Sequence, residues 1–381
     1  MAKPIWGELF GQGEAIAALE QAVAGKADRL NHAWLFTGPP GSGRSNIAVA
    51  FAAALVCDQD GCGTCQQCVL ALAGNHPDID VLTTEKVSIS IEEVRELVQD
   101  SQLGGTMSRF KIMIIEDADR MVERTSNVLL KALEEPPAGT IWILCAPSEA
   151  DMLPTIRSRV RRIALKTPSV EEVAELLVTR DGVDRKLALT VAAEAQSHIG
   201  MARRLATSTD ARGRRHDTLR AALAIDTVSE AMYTAERWVE IARKDADALT
   251  SERDEQELEE LKVMLGVQGE ERVPPHVRAD IKVLEEKQKR RATRSFRDGL
   301  DRILVDLLSL YRDVLLIQLG SASALVNQEL HTKLEALAKA TTAEATLRKL
   351  DQIELTRTRI DSNVNHLIAL EALAVNLRAK A

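Results

Sequence analysis

The chain has 381 residues, of which 45% are apolar and 28% charged, so it is long enough for two or three domains with their own cores. Its net charge of -8 argues against a protein that alone grips DNA along a wide surface, which would be expected to be basic. It has no run of about 18 apolar residues that would suit a membrane span and no apolar signal core at its amino terminus, which favours a cytoplasmic location.

A glycine-rich loop follows the first predicted strand. His32–Thr37 is the predicted strand, residues 38–45 read Gly-Pro-Pro-Gly-Ser-Gly-Arg-Ser, and Asn46–Val56 is an alanine-rich predicted helix. The pattern G-x-x-x-x-G-K-[ST] cradles phosphates on backbone N–H groups, with the lysine on the terminal phosphates and the hydroxyl on magnesium. The candidate nucleotide residues are therefore Gly38, Gly41, Gly43, Arg44 and Ser45. Arginine stands where the lysine belongs, and this replacement is not conservative. Two alternatives therefore remain: the loop binds ATP or ADP, or it is a glycine-rich turn that binds nothing.

Four cysteines follow the loop and its helix at close spacing, namely Cys57, Cys62, Cys65 and Cys68. Two overlapping C-x-x-C units suit a tetrahedral zinc site, and disulfides are disfavoured in a cytoplasmic protein. We predict one structural zinc, with redox chemistry or chance clustering as the alternatives. Cys145 lies alone in an apolar strand and is expected to be a small core residue.

The rest of residues 1–166 alternates strands with helices, which is typical of a parallel α/β sheet. Strands are predicted at residues 78–82, 111–116, 140–146 and 164–165, with helices at 91–99 (capped by Ser90) and 126–135. The strand at 111–116 ends in Glu116-Asp117. Nucleotide-hydrolysing relatives of this fold carry Asp-Glu there, one carboxylate supporting magnesium and the other polarising water. The inverted order displaces each carboxylate by about one methylene, and a misplacement of order 1 Å can cost about a hundredfold in rate.

Arginines cluster after the strand at 140–146, in the segment Thr155-Ile156-Arg157-Ser158-Arg159-Val160. An arginine at the rim of one subunit can stabilise the charge that develops during phosphoryl transfer in its neighbour. On charge alone, the simpler interpretation is that Arg157, Arg159, Arg161 and Arg162 form a basic helix end.

From Ser169 onward the pattern predicts helices only. Two or three short helices are expected in residues 169–210, a polar break at 210–215, and helices from about Leu219 to the end. Within this region Val273-Pro274-Pro275 is a predicted break, a helix is expected from near Ala279, and apolar helical faces are expected at 297–319 and 361–379. The charged stretch at about 235–295 is expected to be a solvated helical extension.

These motifs together resemble the delta-prime subunits of bacterial DNA polymerase III clamp loaders, which are AAA+ proteins. The resemblance is carried by residues 129–137 (Leu-Leu-Lys-Ala-Leu-Glu-Glu-Pro-Pro), by Thr155–Arg159, and by the cysteines after the loop. Ile5-Trp6, Gly11-Gln12 and residues 30–33 also match, so that the likeness is detailed over about residues 4–205. It implies an α/β nucleotide-binding-like domain at 1–166, a helical lid at 167–210 and a helical collar at 211–381.

The resemblance also implies roles and partners. Arg159 would be an arginine finger pointing into the ATP site of a neighbouring gamma/tau subunit, Ser158 would help to position it, and Arg203 would match a phosphate-sensing arginine of the lid. The partners would be gamma/tau and delta subunits in a five-membered ring, the sliding clamp, and primed DNA through the complex.

The chain departs from the hydrolysing members of that family at Arg44, at Glu116-Asp117, and at Ala146-Pro147, where those members carry a polar phosphate sensor. The prediction is therefore a ring subunit whose own ATPase is weak or absent, acting as an accessory to the polymerase holoenzyme. One alternative is a gamma/tau-type ATPase motor. Another is a zinc-bearing nucleic-acid-binding AAA+ protein, although no aromatic residues lie between the cysteines.

Overall fold

The computed structural model describes residues 4–7, 9–25, 30–84, 88–264, 275–362 and 364–378. The chain divides into two compact units, Met1–Thr207 and Ser208–Ala381. The first unit is α/β and the described part of the second is entirely helical, which confirms the predicted fold class.

A five-stranded parallel sheet forms the centre of the first unit. Its spatial order is β2-β3-β4-β1-β5. The strands are β1 (Ala33–Thr37), β2 (Ile79–Leu82), β3 (Lys111–Ile115), β4 (Thr140–Ala146) and β5 (Arg161–Ala164). The three inner strands β1, β3 and β4 are buried at every position, as their near-continuous apolar sequences predict for a sheet covered on both faces.

Nine α-helices accompany this sheet among the described residues of the first unit. They are α1 (Gly13–Ala24), α2 (Arg44–Val56), α3 (Gln66–Leu72), α4 (Ile91–Asp100), α5 (Glu123–Glu134), α6 (Pro154–Arg157), α7 (Val170–Asp181), α8 (Arg185–Glu194) and α9 (Ile199–Thr207). The cap predicted at Ser90 is a full capping box with Glu93, and Ser169 forms a second one with Glu172 at the start of α7.

Helix α2 lies directly against the sheet because its side chains are small. Ala48, Ala52 and Ala53 are fully buried, and the ring of Phe51 meets Trp34 of β1 edge-on at 5.0 Å between centroids. Residues 50–56 of α2 are buried on every side, which fixes the helix, and with it the glycine-rich loop at its amino end, relative to β1.

The second unit is a helical bundle. Its described helices are α10 (Thr209–Leu223), α11 (Val228–Met264), α12 (Pro275–Gln318), α13 (His331–Ala340), α14 (Ala343–Asp361) and α15 (His366–Leu377). Trp238 of α11, Leu307 of α12 and Leu370 of α15 are buried in one core. Within the described part of the chain, no helix combines the length and apolarity needed to cross a membrane.

The polar break predicted at residues 210–215 is wrong, because this segment lies inside α10. Ser208 caps the helix through the N–H of Ala211, and arginine itself favours helices. Arg214 pairs with Asp245 and Arg215 with Asp306, so the arginines that resembled a solvated break are held by acidic partners far away in sequence.

Several predicted boundaries also shift. Helix α5 begins three residues before the predicted start at 126. Strand β5 spans Arg161–Ala164 in place of 164–165, because its exposed arginines hide an edge strand. Helix α12 begins at Pro275, since proline is tolerated in a first helical turn, and the rest of the predicted break at residues 273–275 lies outside the described residues. The predicted last helix at 361–379 is confined to α15.

Candidate functional site

The glycine-rich loop and the acidic pair lie at the same edge of the sheet. Strands β1 and β3 both pair with β4 in parallel, so the residues that follow their carboxyl ends come together. Gly41 and Gly43 adopt positive φ angles of 82° and 88°, which side-chain-bearing residues rarely tolerate, and Gly43 leads directly into α2. The structure thus has the strand, loop and helix arrangement that a phosphate loop requires.

Arg44 turns back onto the loop that contains it. Its Nη1 donates a hydrogen bond of 2.7 Å to the carbonyl oxygen of Gly38, and its Nη2 lies 3.8 Å from Oδ1 of Asp117. The side chain is only 12% exposed. The positive charge at the lysine position is therefore engaged by the loop and by the acidic strand end.

The acidic pair is engaged as well. Asp117 has a left-handed backbone conformation with φ 48°, and its Oδ2 lies 3.5 Å from Nε of Arg120. Glu116 points elsewhere and accepts a 3.0 Å hydrogen bond from the hydroxyl of Thr83. The carboxylates that would hold magnesium or polarise water in a hydrolysing relative face arginines or a hydroxyl of the same unit.

Two side chains that the sequence did not single out by chemistry close the loop from other elements. Gln12 donates to the carbonyl oxygens of Ser42 (3.3 Å) and Lys166 (2.7 Å), and so joins the loop to the end of β5. His198, between α8 and α9, packs so tightly on Gly41 that an added Cβ would lie 2.4 Å from its ring and 2.8 Å from its Cα. Ala146-Pro147 lies beside them and offers only a backbone oxygen, which accepts from the N–H of Gly38 at 3.1 Å.

Arg203 has a carboxylate partner on another helix of the first unit. Nε of Arg203 in α9 lies 3.0 Å from Oδ1 of Asp181, which also accepts from Arg180. Burial acts to raise the pKa of Asp181, but the bonds and charges of the two arginines outweigh it and lower that pKa. Arg203 is thus part of an ion-pair cluster within the three helices α7–α9.

Arg159 lies at the opposite edge of the sheet. It precedes the amino end of β5, which pairs in parallel with β1, whereas the loop follows the carboxyl end of β1. A four-residue strand separates the two edges by about 13 Å. Arg159 therefore does not belong to the loop of its own chain.

The guanidinium of Arg159 is one-third exposed and is held at several points. Nη1 donates to the carbonyl oxygen of Thr155 (2.7 Å) and to Oγ of Ser158 (3.0 Å), and Nη2 donates to Oε1 of Glu134. Glu134 belongs to the residue 129–137 motif, but nothing in the sequence indicated that it would bind this arginine. Of the other arginines in the cluster, Arg161 and Arg162 lie in β5, so the four do not form a helix end.

The four clustered cysteines meet at one point between α2 and α3. Their sulfur atoms all lie within 4.8 Å of one another, and Sγ of Cys57 lies 3.7 Å from those of Cys62 and Cys65. Tetrahedral ligation with metal–sulfur bonds of about 2.3 Å places the sulfurs about 3.8 Å apart, so the set fits a metal ion. N–H groups of Thr64 and Cys65 lower the pKa of Cys62 to about 6, whereas burial raises the pKa of Cys68. Cys145 is buried in β4, as expected for a core residue.

Two family comparisons cover most of the chain. The family described as DNA polymerase III, delta subunit, matches residues 11–169, and the one described as DNA polymerase III, delta subunit, C terminal, matches residues 297–378. The first match contains the loop, the cysteines, the acidic pair and Arg159.

Individual relatives are named as subunits of DNA polymerase III. The DNA polymerase III subunit delta-prime of Bacillus subtilis is 27% identical over 359 residues, which are 92% of either chain. That of Pseudomonas aeruginosa is 37% identical over 170 residues, which are 42% of this chain and 50% of that protein. A gamma/tau subunit from Mycobacterium tuberculosis is 38% identical over 158 residues, or 40% of this chain and 27% of that protein. The crystal structure of a gamma subunit-related protein from Thermotoga maritima aligns over 94% of this chain and 98% of its own, with a TM-score of 0.42 and 16% identity.

Proposed function

The chain belongs to the delta-prime subunit family of bacterial DNA polymerase III, and we propose that it is a clamp-loader ring subunit that lends Arg159 to a neighbour's ATP site without hydrolysing ATP itself. The neighbour would be a gamma/tau subunit. The assembly would be a five-membered ring with a delta subunit that loads the sliding clamp onto primed DNA in the cytoplasmic replisome. In that ring, residues 1–166 would be the nucleotide-binding-like domain, 167–210 the lid and 211–381 the collar.

The position of Arg159 carries this proposal. It lies at the edge of the sheet opposite the loop, one strand length away, so that any triphosphate it touches belongs to another subunit. A finger arginine stabilises charge on the transferring phosphoryl group, and its guanidinium must be fixed before the reaction to do so. The contacts with Thr155 and Ser158 supply that fixation from the same turn.

Arg44 and the acidic pair support the second half of the proposal. A hydrolysing loop presents a mobile ammonium to the phosphates, whereas Arg44 donates to Gly38 and faces Asp117. An incoming triphosphate would have to displace both interactions, and it would then meet a carboxylate pair in the inverted order. We infer that the loop is retained as a rigid joint between β1 and α2, and that Arg203 braces the lid through Asp181.

We further propose that the four cysteines hold one zinc ion. Four thiolates fill all tetrahedral positions, which leaves none for water or substrate, so the ion would be structural. Cys57 and Cys68 are buried while Cys62 and Cys65 are partly exposed, which would tie the outer turn to the end of α2. The zinc would stabilise the fold at the carboxyl end of α2, at the other end of that helix from the loop, and take no part in phosphoryl transfer.

The experiment is reconstitution of the clamp loader with purified subunits, comparing wild type with Arg159→Ala. We expect the variant to assemble normally while the ATPase and clamp-loading rates of the complex fall. Arg157→Ala, two residues away in α6, is the matched control and should leave both rates near wild type. Full activity with Arg159→Ala would overturn the proposal.

A further inference from the structure

We propose that Glu134 is the positioning residue for Arg159, holding the guanidinium in the orientation that the neighbouring ATP site requires. This inference rests on the proposed function of Arg159 and adds a second residue, from a different element, to that site. In this role Glu134 acts through Arg159 and has no contact of its own with the nucleotide.

The location of Glu134 is unfavourable for the helix that carries it. It is the last residue of α5, where the carbonyl end of the helix dipole disfavours a negative charge. A residue that breaks a local preference is expected to be compensated elsewhere in the structure. Here the compensation is its bond to Arg159, which is 25 residues away in sequence.

The contacts of Arg159 divide its five N–H groups into two sets. Within the described part of the chain, Thr155, Ser158 and Glu134 engage three of them, which leaves two for an oxyanion. Glu134 would block the finger only if it occupied the N–H groups that face the phosphate. Instead, the three contacts hold one side of the guanidinium and leave the other side for the phosphate.

The three contacts of Arg159 come from different elements. Thr155 and Ser158 belong to the α6 turn, so they fix the guanidinium relative to its own segment. Glu134 belongs to α5, whose carboxyl end runs through Pro136-Pro137 towards β4 in the sheet. Ile156 already anchors the α6 turn in the core, and Glu134 adds a contact from a second element that acts on the guanidinium itself.

The test is the steady-state ATPase of the reconstituted clamp loader with Glu134→Ala, Glu134→Gln and Glu135→Ala. Glu135 is exposed, and the bond to Arg159 is made by Glu134. Glu135→Ala removes the same charge as Glu134→Ala, so it is the matched control. Misplacement of order 1 Å costs about a hundredfold, and two of the three contacts remain, so we expect Glu134→Ala to lower kcat about tenfold with little change in KM. Glu134→Gln keeps an acceptor oxygen and should recover most of the rate, while Glu135→Ala should behave as wild type.

A double-mutant cycle separates positioning from a merely structural role. In an Arg159→Ala background, Glu134→Ala should have no further effect on kcat, because the group that it positions is gone. An additive effect, a faster ATPase in Glu134→Ala, or equality of Glu134→Ala with Glu135→Ala would each overturn the inference. If Arg159→Ala itself is harmless, the proposed function fails first; if it is harmful while Glu134→Ala is not, only the positioning role fails. Thermal unfolding and gel filtration of every variant establish that subunits and complexes are intact.

Discussion

Arg44→Ala removes the guanidinium that the glycine-rich loop holds against its own backbone. The charge-assisted hydrogen bond to Gly38 is worth about 1.5–3 kcal/mol, and the partly exposed pair with Asp117 adds up to ~1 kcal/mol. Asp117 keeps Arg120 as a second cation, which limits the penalty on that side. We expect the free energy of unfolding to fall by about 2–3 kcal/mol.

Urea unfolding followed by tryptophan fluorescence measures this loss, since Trp34 and Trp142 are fully buried in the same unit. Arg120→Ala is the matched control; it removes a cation that also faces Asp117 but is more exposed, and should cost less than ~1 kcal/mol. Equal losses for the two variants would refute the reasoning. A second outcome would also refute it. A ligand that binds the folded state stabilises the protein, so Mg–ATP would raise the urea midpoint if the loop bound it. A rise in wild type that is lost in Arg44→Ala would show that Arg44 binds nucleotide and is not held by its own loop.

Three further predictions concern other residues of the first unit. Asp78→Asn should cost about 2–4 kcal/mol, because the buried carboxylate accepts four hydrogen bonds from residues 106–108 and an amide oxygen can keep only part of them. Burial acts to raise the pKa of Asp78, but these bonds lower it on balance. The stability of wild type should therefore fall more steeply than that of the variant as the pH drops below about 4. Urea midpoints measured at several pH values check this. Elemental analysis should find one zinc per chain in wild type and in Cys145→Ser but none in Cys62→Ser, and wild-type protein without metal would contradict the proposed site. Gly41→Ala should destabilise by roughly 1–3 kcal/mol, because its φ is positive and its Cβ would collide with the backbone of His198; a thermal midpoint equal to wild type would refute that packing.

The sequence predicted the parts of this fold whose signal is local. The inner strands β1, β3 and β4 are continuous apolar runs, the glycine spacing determines the loop, and the cysteine spacing determines the cluster. Each of these rests on a few consecutive residues and on a strong preference for one backbone geometry. The predicted helix at 91–99 was equally local, because Ser90 and Glu93 lie three residues apart.

The parts that could not be predicted depend on partners distant in sequence. The segment at 210–215 has the composition of a solvated break, and the ion pairs with Asp245 and Asp306 help to hold it as part of α10. The bond between Glu134 and Arg159 and the contact of His198 with Gly41 join elements whose adjacency is a property of the folded chain. The opposed positions of the loop and Arg159 likewise follow from the parallel pairing of β1 with β5, which are distant in sequence.

The most direct test of the account is the ATPase of the reconstituted clamp loader, measured beside that of the isolated subunit. We expect negligible turnover by the isolated chain, and a complex whose turnover falls when Arg159 is replaced by alanine although all subunits remain assembled. Rapid hydrolysis by the isolated chain, or unchanged turnover of the Arg159→Ala complex, would contradict it.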